Sequence, residues 1–343
     1  RILAGLRRDL RTIRLISYEE LFHTRKAPIG HYIFTHQDGL STFECEIAVG
    51  IARSLQQADP NIRILNAPGQ VLERVPLLRH LQKQGMNRYS VTRLDDGSRP
   101  ESYPVFVRCE DYHLGTDTEL LHTQGELEDA LAELRTQGKV LKGRIAVEFC
   151  AKRTNNGHYR KYGAFNINGS IIPQHILDCD HWMVKSSGRH RSVASAAEEL
   201  EYIRSNPHRD YLAEVFKIAN IDYGRVDYGI VDGQLQIYEI NTNPTTPTLH
   251  QENHADEMCS QLVELRRERR SFIRTAFLEA LSDLDTPLQS GRPVRFSLPK
   301  HKHHELITHS PWYVRRSRLK LRRKLYIKMA RLYGRLEERN PRL

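Results

Sequence analysis

Two carboxylates and a side-chain amide, Asp227, Glu239 and Asn241, stand in the stretch RVDYGIVDGQLQIYEINTNP, which runs from Arg225 to Pro244. Residues 225–231 and 234–240 alternate in polarity and are rich in Val, Ile and Tyr, the pattern of half-buried strands. Asp232-Gly233 lies between them and favours the positive-φ positions of a tight hairpin turn. Folding back at that turn sets Asp227 and Glu239 roughly side by side. Asn241, two residues beyond Glu239, points to the same face. Hard oxygen donors in such a cluster suit Mg²⁺, which takes one or two carboxylates together with the oxygens of a bound phosphate. For an Asp and a Glu alone, a hairpin with polar groups on its wet face is the plainer alternative.

The other elements must hold that hairpin in place. HYIFT (31–35) reads as a short strand. STFECEIAVGIARSLQQ carries Phe43, Ile47, Ile51 and Leu55 as a helical stripe behind a Ser41/Glu44 capping box, and IRILN (62–66) is a strand again. The front of the chain is therefore an α/β layer. VPLLRHLQKQ is a helix ended by Gly85, YPVFVRC (103–109) a buried strand, GELEDALAELRTQ a helix closed by Gly138, and IAVEFCA (145–151) a strand. YRKYGAFNI and SIIPQHIL make a second hairpin about Asn168-Gly169. Helical pieces follow at 193–205 and 209–220, and MCSQLVELRRERRSFIRTAFLEALSDL is one long helix beyond the first hairpin. GRPVRFSLPKHKHH is linker-like.

With 343 residues, 39% hydrophobic and 27% charged, the chain is long enough for a full core and two or three subdomains. No run of 18 apolar residues is present, and residues 1–15 are basic and amphipathic without the apolar centre of a signal peptide. The five cysteines are scattered without CxxC spacing, which argues against a disulfide framework or a zinc site and for a reducing, cytoplasmic setting. The net charge of +10 sits in the tail: residues 311–343 hold 12 Lys/Arg and 2 Glu, and the rest balances near zero. That tail places Leu321, Leu325, Met329, Leu332 and Leu336 on one face of a basic amphipathic helix. It would pack on the body, lie on an anionic membrane or grip nucleic acid. His175 and His181 flank Asp178 and Asp180 in PQHILDCDHW, and they read as polar residues at a strand end before they read as a metal cluster. HKHH (301–304) reads as solvated.

The order of elements and the hairpin at 225–244 resemble the ATP-grasp superfamily over roughly residues 60 to 250. The nearest local likeness is to carboxylate–amine ligases of the D-alanine–D-alanine ligase type. Their last metal-binding segment resembles Arg225-Val226-Asp227 followed by Glu239-Ile240-Asn241-Thr242-Asn243-Pro244. The resemblance implies an ATP-grasp fold, α+β or α/β in class, with an α/β region at 1–85, the grasp subdomains at 86–250, a long helix within 251–290, and a linker and helical basic tail at 291–343. It implies Mg²⁺ on Asp227, Glu239 and Asn241, bridging the phosphates of ATP. Arg225 would face the substrate carboxylate or its oxyanion. Arg108 stands where a phosphate-binding Lys is usual. Glu148, Phe149 and Cys150 match the linker that meets adenine, and Arg160, Lys161 and Lys185 are the further phosphate cations. Substrates would be a small carboxylate and an amine, joined through an acyl phosphate.

Three positions depart from the family pattern. Neither RLDDGSRPES (93–102) nor HLGTDTE (113–119) is the glycine-rich cover, Arg108 is a planar fork in place of a point charge, and Thr245 stands where Gly is usual. A non-catalytic nucleotide-binding protein on the same fold is therefore the alternative.

Overall fold

A computed structural model describes residues 13–111, 115–185, 192–244, 259–288 and 291–296. In chain order the elements are α1 (Tyr18–Thr24), β1 (Lys26–Ala27), β2 (Tyr32–Ile33), a 3₁₀ turn (Gln37–Gly39), α2 (Thr42–Ala58), β3 (Ile64–Leu65), α3 (Arg74–Lys83), β4 (Val91–Arg93), β5 (Val105–Cys109) and α4 (Gln124–Thr136). Then come β6 (Arg144–Glu148), β7 (Tyr159–Ile167), β8 (Ser170–Cys179), α5 (Val193–Ser205), α6 (Arg209–Ala219), β9 (Tyr223–Val231), β10 (Gln234–Asn241), α7 (Ser260–Ser282) and β11 (Val294–Arg295). The basic tail, HKHH and Thr245 lie outside the described residues.

The elements divide into two interleaved compact units. One comprises Ile13, Gly30–Ser41 and Ile62–Leu288; the other comprises Arg14–Ile29, Thr42–Asn61 and 291–296. In the second unit Ser17 caps α1 by accepting the Glu20 amide, β1 pairs antiparallel with β11, and α2 buries Ile47, Ile51 and Leu55 from the expected stripe.

The first unit holds the larger sheet, an antiparallel sheet in the order β10-β9-β7-β8. Its two hairpins turn where the sequence places them. Asn168 and Gly169 have φ of 49° and 90°, and Asp232 and Gly233 have φ of 49° and 77°, the positive values of a turn whose twist matches the strands. α6 closes one face, packing Leu212, Val215 and Phe216 with Ala164, Val226, Tyr228 and Ile237. α7 packs Ile273 and Phe277 with Phe165, Ile167 and Ile172. A three-stranded antiparallel sheet, β4-β6-β5, forms the second layer system. α4 covers it through Leu127, Leu131 and Leu134, and α3 through Val75 and Leu78. α3 also gives Leu77 and Leu81 to the core of the larger sheet, so this one helix ties both sheets together. The mixed α+β class expected from the sequence is the observed one. The strands at 31–35 and 62–66 shrink to the short parallel pair β2 and β3, and the strand at 145–151 ends at Glu148.

Candidate functional site

A regular two-residue hairpin that pairs Val231 with Gln234 continues to Tyr228 opposite Ile237. Continued without a break, it would set Asp227 against Tyr238 and turn Glu239 to the other face, because side chains alternate. The ladder instead shifts between Ile237 and Glu239, and Asp227 pairs with Glu239 and Arg225 with Asn241. Tyr238 is the extra residue of a β-bulge. Its ring lies over Gly229, where a Cβ would come 2.1 Å from the Tyr238 oxygen. The hydroxyl donates to the Cys150 carbonyl at 3.2 Å. The glycine makes room for the ring, and the bulge brings both carboxylates and Asn241 onto one face.

Cations close on that face. Lys161 of β7 donates to Asp227 at 3.0 Å, and Arg225 does so at 2.8 Å. Asp227 is buried. Burial raises its carboxyl, but Lys161 and Arg225 outweigh burial and hold it below its ordinary value. Glu239 accepts from Arg74 at 2.7 Å and from Arg108 at 3.5 Å. Arg74, the first residue of α3, also donates to the carbonyls of Cys109 and Glu110 at the end of β5. Burial, then the nearby Arg74, lowers the Arg108 guanidinium from its ordinary value, against the pull of Glu239. Four cations thus face two carboxylates, an excess of positive charge suited to a polyanion. A divalent ion here would rest on Asp227, Glu239 and Asn241 with phosphate oxygens, which is the donor set Mg²⁺ uses. No group of three or more His, Cys, Asp or Glu is placed to hold a metal among the described residues.

Other expected residues lie elsewhere. Arg160 points opposite to Lys161, away from Asp227, and forks onto Asp178 at 2.7 Å with Glu198 of α5 also bound. Those two carboxylates raise its guanidinium above the ordinary value, with Asp178 the larger cause. Lys185 is exposed after β8, its ammonium 3.5 Å from where a Cβ at Gly115 would sit. Glu148 accepts the Ser90 amide at 2.9 Å, and the Phe149 amide donates to the Pro104 carbonyl at 2.8 Å. Phe149 packs edge-on to Trp182 and Tyr159, and Trp182 meets Phe106 at 5.0 Å. Burial raises the Cys150 thiol. The Asn241 side-chain oxygen accepts the Asn243 amide at 2.8 Å. The polar cluster around His175 separates: Asp178 binds Arg160, Asp180 binds His158, and His181 binds Glu119.

Two residues of the site had no signal strong enough in the sequence. Arg74 sits one residue before the expected start of its helix and looks like any charged residue in a first turn. His175 is buried on the same face as Asp227, where alternation through a regular hairpin would have placed it on the other.

No family model matches the chain, and no curated protein does. Among solved structures it is similar to a D-alanine–D-alanine ligase from Bacillus anthracis, at 16% identity and TM-score 0.41 over 78% of this chain and 87% of that one. A D-alanine–D-alanine ligase from Bacillus anthracis complexed with ATP gives 15% identity and TM-score 0.37, over 68% and 77%. The ATP-grasp ligase PsnB complexed with minimal precursor gives 12% and 0.37, over 59% and 62%. All three TM-scores lie below 0.5, and the functional reading rests on the residues described above.

Proposed function

We propose that this chain is an ATP-grasp ligase that uses ATP and Mg²⁺ to join a carboxylate to an amine or a similar nucleophile. One observation carries the reading: Asp227 and Glu239 are partners across β9 and β10, and Lys161, Arg225, Arg74 and Arg108 converge on them. ATP with Mg²⁺ supplies the phosphoryl group that activates the carboxylate. Asp227, Glu239 and Asn241 hold the metal. Lys161, Arg74 and Arg108 meet phosphate oxygens, with Lys185 as a further contact from the stretch after β8. Residues 148–150 flank the base. Arg225 faces the substrate carboxylate, where negative charge grows as the acyl carbon becomes tetrahedral.

In the chemistry this site suits, a carboxylate oxygen bonds to phosphorus as ADP leaves. The amine then attacks the acyl carbon, inorganic phosphate leaves, and the nitrogen gives up a proton. Lys161, Arg74 and Arg108, drawn from the carboxylates to the phosphates as ATP binds, then face the charge that develops on the phosphoryl oxygens. Arg160, locked to Asp178 and Glu198, joins β7 and β8 to α5 in this reading. We also place the protein in the cytoplasm, with residues 311–343 as a contact to an anionic membrane or nucleic acid. Among the described residues no helix is long and apolar enough to cross a membrane. The binding of Glu239 by Arg108 favours a second reading, nucleotide binding without catalysis.

Calorimetry of ATP binding with and without Mg²⁺, on the wild type and on Glu239→Gln, tests the site. Metal-dependent binding that weakens in the variant supports it. ADP release with paired carboxylates and amines then separates a ligase from a binding protein. Absence of ATP binding in every condition sinks both readings.

A further inference from the structure

His175, Gly163 and Asp227 form one row across the sheet, for Gly163 pairs with His175 on β8 and with Asp227 on β9. Glu239 continues the row on β10. Neighbouring strands lie about 4.8 Å apart, so a single strand separates His175 from Asp227. The imidazole lies on that strand where it has no side chain: a Cβ at Gly163 would meet the ring's Cε1 at 2.5 Å and Nε2 at 2.6 Å. The Nε2 end of the ring therefore reaches over the middle strand. His175 is only 9% exposed, and its buried Nε2 makes no hydrogen bond. A buried polar atom without a partner costs stability, so its persistence at this place asks for a reason.

Asp227 supplies one. Its Oδ1 accepts from Arg225, and its Oδ2 accepts from Lys161 at 3.0 Å and from Arg225 at 3.4 Å. A divalent ion on this carboxylate repels both cations, and a bound polyphosphate draws Lys161 away. A buried carboxylate oxygen then loses a donor. A neutral N–H is not repelled by a divalent ion on the same carboxylate, as an ammonium is. Carboxylates that ligate metals are themselves held by such outer hydrogen bonds. Burial keeps the imidazole neutral, and Asp227 is the foremost charge acting on it, ahead of Arg225, Lys161 and Arg269.

We propose that His175 is a positioning residue for the metal: when ligand binds, its Nε2–H takes over the Asp227 oxygen that Lys161 releases to the phosphates. The inference rests on the reading of Asp227 as a metal ligand.

The test is ATP calorimetry on the full chain, with and without Mg²⁺, read as the gain in affinity that the metal confers. Asp227→Asn should abolish the gain. His175→Phe, which keeps a ring but no donor, should cut it about tenfold and leave metal-free ATP binding unchanged. His175→Gln, which restores an N–H, should recover most of it. Gly163→Ala leaves the imidazole in the chain and pushes it off the strand, so it should lose the gain as His175→Phe does; it also serves if His175→Phe folds poorly. A purely structural histidine would move metal-free and metal-bound affinity together, and that result overturns the proposal. A full metal gain in both His175→Phe and Gly163→Ala, with Asp227→Asn defective, overturns the role of His175 alone. A wild type with no metal gain overturns the site reading and this one with it.

Discussion

The two hairpins of the larger sheet share a plan and differ in what they carry. Each turns on two positive-φ residues, Asn168-Gly169 or Asp232-Gly233. Each has one extra residue at the fifth position of its second strand, Gln174 in β8 and Tyr238 in β10, where the ladder shifts. Each lays a ring over a glycine, His175 on Gly163 and Tyr238 on Gly229. The β7–β8 hairpin spends its strongest ion pair on structure, Arg160 with Asp178 on the face toward α5. The β9–β10 hairpin turns its pair, Arg225 with Asp227, toward the site. A structural ion pair and a candidate ligand pair thus differ in which face the ladder gives them. The bulges decide which residues of the second strands join them, Asp178 beside Arg160 and Glu239 beside Asp227, because a shift of one residue exchanges inward and outward side chains.

Removing the two aspartates breaks the comparison most sharply. Asp227→Ala strands Lys161 and Arg225 around a buried gap and should cost roughly 3–5 kcal/mol, measured as the shift in urea unfolding. Asp178→Ala should cost less, about 1–3 kcal/mol, because Arg160 keeps Glu198. Equal losses would mean that Asp227 is no more deeply committed than its counterpart.

Gly229→Ala drives a methyl group into the Tyr238 hydroxyl and should destabilise by about 1–3 kcal/mol. It should also weaken ATP binding by disturbing the bulge that aligns Glu239. Unchanged stability together with unchanged binding would show that the ring does not hold the register.

The histidine adds a pH signature that the tyrosine lacks. Burial pushes the His175 imidazole down to about 3. Below its ordinary value of about 6.5 the unfolded chain takes up a proton that the folded chain refuses. Stability should therefore fall as pH drops from about 6.5 toward 3, by roughly 1.4 kcal/mol per pH unit from this group. His175→Phe should flatten that slope in urea titrations run at several pH values, and an unaltered slope would remove the buried imidazole as its cause. Asp227 acts lower. Burial raises its carboxyl, but Lys161 and Arg225 hold it below the ordinary value, so its stability is present above that value and is lost only as pH falls through the lowered one.

The smallest difference is expected at the turns. Gly169→Ala and Gly233→Ala each force a side chain into positive φ and should cost about 1–2 kcal/mol, alike in both hairpins. A larger loss of ATP binding at one turn than at the other would show that the turns also feed the site.

Much of this was legible from residue order. Alternation with Asx-Gly turns located both hairpins, because those dipeptides tolerate the positive φ that few others do. Helical stripes located α2 to α7 to within a few residues. The Asp, Glu and Asn of the site were visible as oxygen donors on a hairpin, while Lys161, Arg225 and Arg108 were singled out only through a family resemblance. Other parts were not legible. Strict alternation from the Asp232-Gly233 turn sends Glu239 to the wrong face, and from the Asn168-Gly169 turn it does the same to His175. The Arg74–Glu239 pair spans 165 residues and depends on how α3 docks between two sheets.

The sequence by itself determined the turns, the strand and helix identities and the donor types, because these follow from local backbone preference and from period. Only the tertiary structure decided the two bulges, the binding of Arg160 by Asp178 and Glu198, and the convergence of Arg74 and Arg108 on Glu239. Those depend on which rings find glycines beneath them and which cation reaches a buried carboxylate, and such choices are settled between segments that are distant in the chain.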